Sequence, residues 1–479
     1  MAQQLPVASC DEPHGHHKHA STMSLFKSPY LTPLCTVSTA LLLSVSLQPA
    51  FAAQADAPSP SARAAQPVAL SLTEAVKAAN DWHPSLRNAT GQLQQTQEGI
   101  SAAKAAYYPQ VRAGISSESS SQRNTSTGST RTNLGKVTVS QMLYDFGKVS
   151  HSVTQAQAQA TAARYQLQLT QEAVTRETAL VWVELSRQQT MSQIASSQVE
   201  GVKALANLAM EREKKGASTR SDSLQAQSRV ESAAAQAINI AAQVQRNRIS
   251  LMQLTGAKTL VSSDSAAPQF LLQACNAAAL AAPNSLILRA QALRDAARAG
   301  VDVADSTRMP TLSLDGSVQR GIDSQSRSNS PSGLNTSVTV NFSAPLYEGG
   351  GNQARLRAAM YALDAAEASI EQAQLQTQQG LQDAQAQFMG QRSREPLLAQ
   401  RTASIKGTKQ LYADQYLQLG TRSLLELLNA EQEYHGARFD QLDNQYEQLR
   451  LGVECLYQSG HLRDTFHLDM PIANNGSKP

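Results

Sequence analysis

Residues 137–148 read VTVSQMLYDFGK, and residues 338–351 read VTVNFSAPLYEGGG. Each phrase alternates Val with hydroxyl or amide residues, passes a Tyr and ends on glycine before a long Ala/Gln-rich run. The flanks are duplicated as well. AYYPQV (106–111) and RMPTLSL (308–314) lie before the two phrases, while KKGASTRSDSLQAQ (214–227) and LQLGTRSLLELLNA (417–430) follow them. Pro109 answers Pro310, Tyr144 answers Tyr347, Gly216 answers Gly420 and Asp222 answers Glu426, at offsets of 201, 203, 204 and 204 residues. A tandem repeat of this length fixes an architecture of two similar units, each with two short strands beside two long helices.

The strands show period two. Val111, Ala113 and Ile115 alternate with polar residues or glycine, as do Val137 and Val139, Leu312, Leu314 and Val318, and Val338, Val340 and Phe342. One apolar and one polar face describes a strand between lipid and water, or equally a half-buried soluble sheet. The rest of the chain favours lipid, because it contains no separate domain in which these strands would bury a second layer. Polar loops join each pair. The long runs are helical: Val149, Val153, Ala156, Ala160, Ala163, Leu167, Thr170, Val174, Val181 and Leu185 recur at spacings of three, four or seven, and Ala195, Val199, Val202, Ala206 and Ala209 continue the seam. This is coiled-coil spacing, and its alanines bring helices close. The second run contains Pro396, which predicts a kink or break there. Ser71 with Glu74 forms a capping box opening a helix that reaches about Tyr107, kinked near Pro84.

An apolar run at 31–47, with Lys27 before it and Ala50-Phe51-Ala52 after it, has the layout of a secretory signal peptide cleaved after Ala52. The His-rich stretch before Met23 (His14, His16, His17, His19) reads either as a metal-binding tract or as an extension outside the mature protein, the second being preferred; Cys35 is read as part of the apolar run. Downstream, no segment approaches the roughly 20 apolar residues of a transmembrane helix, so membrane entry must use strands. Cys275 and Cys455 remain in the exported chain, which admits a disulfide or two buried thiols. A formal charge of +3, with no basic block, is too slight to imply nucleic-acid binding. His83, His151, His435, His461 and His467 are scattered without metal-ligand spacing, and Gly349-Gly350-Gly351 reads as a strand-to-helix hinge, so neither catalysis, metal nor cofactor is expected. The chain divides into an N-terminal extension and signal peptide (1–52), a flexible leader (53–69), a first repeat (70–255), an inter-repeat segment (256–283), a second repeat (284–458) and a C-terminal tail (459–479).

Four strands cannot close a membrane barrel, since the smallest need about eight, and open edges are not tolerated in lipid. Several chains must share one barrel. With SLTEAVKAANDWHPSL (71–86), the paired AYYPQV and RMPTLSL, QMLYDFGK and PLYEGGG, and the hairpins GASTRSDSLQA and GTRSLLELLNAEQEY on the page, the chain resembles the TolC family of outer-membrane channels over nearly its whole mature length. The resemblance implies an α+β membrane protein: a homotrimer whose 12-stranded transmembrane β-barrel continues into a 12-helix coiled-coil barrel across the periplasm of a Gram-negative cell. It also implies docking on a periplasmic adaptor (membrane fusion) protein and an inner-membrane ABC or RND transporter.

By motif position the resemblance places a periplasmic gate at Asp222 and Arg422, with the family's latch tyrosine falling on Leu417 beside Tyr416. Where some members carry two aspartates, this chain has Glu426 and Asn429, leaving one anionic ring. Gly216, Gly420 and Thr421 are candidates for adaptor contact at the hairpin turns. For each of these the alternative is a solvated or purely conformational role. QMLYDFGK resembles members serving type I (ABC-driven) protein secretion, which makes that the leading functional expectation. The alternatives are a multidrug efflux duct and, from another class, a soluble periplasmic coiled-coil scaffold.

Overall fold

In a computed structural model the described residues are 68–120, 130–259, 261–264, 268–277, 284–322 and 334–468. The signal peptide, most of the leader, the loops between paired strands and the end of the tail lie outside them. Strand β1 (Val68–Leu70) leads into α1 (Leu72–Trp82), whose capping box is formed: Ser71 N donates to Glu74 Oε2 at 2.9 Å and Glu74 N to Ser71 Oγ at 3.3 Å. The single kinked helix expected from Ser71 to Tyr107 is instead two. His83 is extended at φ −60°, ψ 130°, and Pro84 starts α2 (Pro84–Lys104), followed by a 3₁₀ turn at Ala105–Tyr107. The cause is local, because the residue before proline is driven out of the helical region.

Strands β2 (Gln110–Ser120) and β3 (Thr130–Tyr144) form one hairpin, and β5 (Thr311–Gly321) and β6 (Leu334–Ser343) the other; β4 (Val261–Ser263) lies between them in sequence. The four strands make an antiparallel sheet in the order β2-β3-β5-β6. Partners directly opposite share a face. Val111 pairs with Val139, which pairs with Gly316, which pairs with Val338; Ala113, Val137, Val318 and Thr336 form the next row, and Leu314 faces Val340. The other face carries Arg112, Thr138, Ser317 and Ser337, then Gln110, Ser140, Asp315 and Thr339. The alternation read in each strand separately therefore registers across all four. The apolar side is bare: Val111, Ile115, Val338, Val340 and Phe342 are all exposed, and β2 and β6 present open hydrogen-bonding edges.

At the exit of β3, Asp145 caps the following helix, accepting from Gly147 N at 3.0 Å and Val149 N at 2.6 Å. Phe146 (φ 54°) and Gly147 (φ 91°) both turn through left-handed conformations to make this cap. The first rod, α3 (Lys148–Lys214), then runs for 67 residues, about 100 Å at 1.5 Å per residue. It turns into α4 (Arg220–Thr255). After α5 (Gln269–Ala277) and α6 (Ser285–Ser306), the second rod, α7 (Gly351–Asp414), runs 64 residues and returns as α8 (Leu424–Gln458), followed by the short α9 (Leu462–Thr465). The buried seam of α3 includes Val153, Ala160, Leu167, Val174, Leu185, Ala195, Val202, Ala206 and Ala209. Pro396 does not end the second rod: α7 continues through it. Side chains of α8 bond to α7 beside the proline, Asn444 Nδ2 donating to Gln391 O at 3.0 Å and Gln448 Nε2 to Glu395 Oε2 at 3.2 Å. Such contacts hold α7 to α8 beside the turn where proline removes one backbone hydrogen bond. Most of α7 is left uncovered, with only Ala373, Thr377, Leu381, Ala384 and Phe388 buried.

The midsection is tied across the repeats. Val68–Leu70 pair in parallel with Val261–Ser263, and Trp182 Nε1 donates to Leu70 O at 2.9 Å. The leader expected over 53–69 thus gives its last residues to a sheet. Helix α5 lies on α8, where Cys275 and Cys455 are joined by a disulfide. Trp182, Leu185, Leu251, Leu271 and Leu449 form the main core around this region. In the tail expected from residue 459, Leu462 and Phe466 pack into the same core.

Candidate functional site: the two hairpin tips

Both rods reverse through a left-handed glycine, Gly216 at φ 70° and Gly420 at φ 61°, the conformation a helical hairpin needs just past a helix end. In the first, Ala217 N donates to Arg212 O at 2.8 Å and Thr219 opens α4 as its N-cap. In the second, α7 widens into a π-helical turn at Gln415–Leu419, Thr421 N donates to Gln415 O at 3.3 Å, and Ser423 caps α8. One apolar cluster holds the tips together: Val202, Ala206, Ala209, Ala226 and Val230 from the first hairpin meet Tyr416, Leu424, Leu427 and Leu428 from the second.

Asp222 and Arg422 are not paired within the chain. Asp222 is the third residue of α4 and completes a capping box, accepting from Thr219 N at 3.1 Å and Ser218 Oγ at 2.9 Å. The Thr219 backbone bond, then the Ser218 and Thr219 hydroxyls, hold its carboxyl below the usual range. Arg422 is kept inside its own hairpin. It donates to Glu426 Oε1 at 2.7 Å and Gln415 Oε1 at 3.0 Å and stacks 4.5 Å above the Tyr412 ring. Glu426 mirrors Asp222 in the second capping box, lowered first by the Ser423 backbone and then by Arg422. Asn429 accepts from Arg229 Nη2 at 3.2 Å, and Gln432 from Arg229 Nη1 at 2.5 Å, which ties α4 to α8. Leu417 is exposed, whereas Tyr416 is buried.

Sequence reasoning missed Arg212, Arg229, Tyr412 and Gln415. Arg212 donates from Nη1 to Tyr416 O at 3.0 Å and lies 4.5 Å over its ring, bonding the first rod to the π turn of the second. The signal was present: Arg212 and Tyr416 are 204 residues apart, the same offset as the two turn glycines.

Further along the hairpins Glu431 is buried and accepts from Lys409 Nζ at 2.7 Å and His435 Nε2 at 3.0 Å. Burial pushes its carboxyl up, but the His435 and Lys409 hydrogen bonds and charges prevail and it titrates below the ordinary value. Gly201 of α3 passes over this carboxylate so closely that a β-carbon there would overlap it. Among the described residues no group of three His, Cys, Asp or Glu is placed to hold a metal ion, and no helix is long and apolar enough to cross a membrane.

The chain matches the family described as outer membrane efflux protein over residues 75–257 and 278–453, one stretch per repeat. It is 26% identical over 389 residues to protein CyaE of Bordetella pertussis, covering 77% of this chain and 79% of that protein. It is 24% identical over 369 residues to the outer membrane efflux protein BepC of Brucella suis, covering 76% and 79%. Its fold superposes on the crystal structure of CusC with a TM-score of 0.71 at 20% identity, over 82% of this chain and 92% of that one. The exposed apolar strand rows, the coiled-coil rods and the duplicated family match have one reading, which leaves no place for an enzyme or a soluble scaffold: this chain belongs to the outer membrane efflux protein family, the TolC-type channels that lie in the outer membrane and span the periplasm.

Proposed function

We propose that three copies of this chain form the exit duct of a tripartite type I, ABC-driven protein secretion system. Edges β2 and β6 join neighbouring chains, and three four-stranded sheets then close a twelve-stranded barrel with its apolar rows to lipid. At the far end, rings of Arg422, Glu426 and Asp222 border the constriction, where identical side chains from symmetry-related chains set closure and selectivity. Gly216, Gly420 and Thr421, at the extremities of the hairpins, face the periplasmic adaptor, and the inner-membrane transporter lies beyond it.

The observation that carries the secretion reading is the junction QMLYDFGK, which resembles secretion-type channels and in which Asp145 fixes the strand-to-rod turn. The name of BepC, an outer membrane efflux protein, favours a second reading, an efflux duct in place of a protein-secretion duct. A deletion strain separates them. Loss of a secreted protein from the medium with unchanged drug susceptibility is expected; hypersensitivity to drugs with secretion intact would replace the first reading with the second.

A further inference from the structure

The Cys275–Cys455 disulfide lies away from the tips and plays no part in the export reading. It joins α5 to α8 across 180 residues of sequence, so the covalent ring it closes takes in α6, β5, β6, α7 and nearly all of α8. Both residues are interior: Cys275 is 6% exposed and Cys455 0%, enclosed by Leu381, Ala384 and Phe388 of α7 and Leu451 of α8. Helix α5 is seated without slack, because a β-carbon at Gly452 would overlap the backbone of Leu271, and Gln385 Nε2 donates to Cys275 O at 3.3 Å. Exchange into a disulfide requires a thiolate to reach a sulfur of the oxidant and pass through a mixed disulfide. A seated α5 leaves no approach for a protein carrying that oxidant.

We infer that the bond is made before α5 seats on α8, by a periplasmic protein dithiol oxidase, so that oxidation is a step of assembly. The thiolate of one cysteine attacks the oxidase disulfide, forming a mixed disulfide and releasing one oxidase thiolate. The other cysteine's thiolate then attacks the mixed disulfide, closing the Cys275–Cys455 bond. The oxidase leaves as its dithiol, having taken up the two electrons and the two protons that the chain's thiols lose. Chance closure of so long a loop is entropically unfavourable, so the second repeat folds back first and brings Cys455 to α5. Only these two cysteines follow the expected cleavage point at Ala52, which leaves one intramolecular product.

The test uses the full chain in a Gram-negative host with and without its periplasmic dithiol oxidase. Trimers from the intact host are expected to resist thiol-reactive polyethylene glycol after dithiothreitol treatment without denaturant, and to react at both cysteines once denatured and reduced. Without the oxidase, outer-membrane trimer should fall several-fold and recover when cystine is supplied to the medium. Cys455→Ser should trap a mixed disulfide between Cys275 and the oxidase on non-reducing gels, and Cys275→Ser with Cys455→Ser should abolish it. The doubly substituted chain reports assembly without the bond, and its yield should not depend on the oxidase. Free thiols in trimers from the intact host, undiminished trimer without the oxidase, or reduced trimers that oxidise in place on addition of an oxidant would each overturn the inference.

Discussion

Gly201 shows how one atom decides a buried charge network. Glycine inside a helix is destabilising by about 1 kcal/mol relative to alanine, yet here it makes room for the Glu431 carboxylate held by Lys409 and His435. Gly201→Ala should displace that carboxylate, at about 1–3 kcal/mol for buried partners left unpaired, partly offset by the better helix former. The expected net loss is up to about 2 kcal/mol, read as a lower melting temperature, and absent in a Glu431→Ala background where nothing is left to collide with. The pH dependence has a definite sign. Because the folded carboxyl titrates below its ordinary value of 4.5, its contribution is complete above that value and is lost as pH falls through the depressed folded value. Glu431→Gln should therefore show less acid loss of thermal stability below about pH 4.5 than the unsubstituted chain.

Among elements, the sheet gives the sharpest contrast because adjacent residues of one strand face different solvents. Val340 pairs with Leu314 on the apolar face and Thr339 with Asp315 on the polar face. Arginine facing lipid costs up to about 2–4 kcal/mol at mid-bilayer. Val340→Arg should reduce trimer in the outer membrane, while Thr339→Arg, one position away, should assemble; equal yields on fractionation would place the strand phase elsewhere. The rods show a weaker local rule being overridden. Pro396 in isolation ends a helix, but α8 bonds to α7 at Gln391 and Glu395, both just before the proline, and the helix continues.

At the scale of the whole molecule, the proposed gate makes closure of the duct depend on how each second hairpin holds its shape. Arg422 gathers Glu426, Gln415 and Tyr412 around the π turn, and threefold repetition multiplies whatever one copy contributes. Arg422→Ser should raise single-channel conductance in planar bilayers with the trimer intact. Glu426→Gln should lower cation preference with a smaller rise in conductance, since it removes an anion but leaves Arg422 bound to Gln415 and Tyr412. Unchanged conductance in Arg422→Ser would leave Arg422 a purely structural role in its turn.

What the sequence by itself determined were features governed by neighbours in the chain. The duplication, the period-two strands, the capping box at Ser71, and the left-handed Gly216 and Gly420 follow from backbone sterics and residue spacing over a few positions. Tertiary structure decided the rest: that Arg422 pairs with Glu426 and leaves Asp222 to its own cap, that Arg212 holds Tyr416, that Gly201 admits Glu431, and that Cys275 meets Cys455. Arg422 and Glu426 are near in sequence, but the choice between that pair and Asp222 turns on where the first hairpin lies. The other three join residues about 180 to 230 positions apart, and such partners are set by which helix faces pack together, a property of the folded seam that no local stretch of sequence encodes.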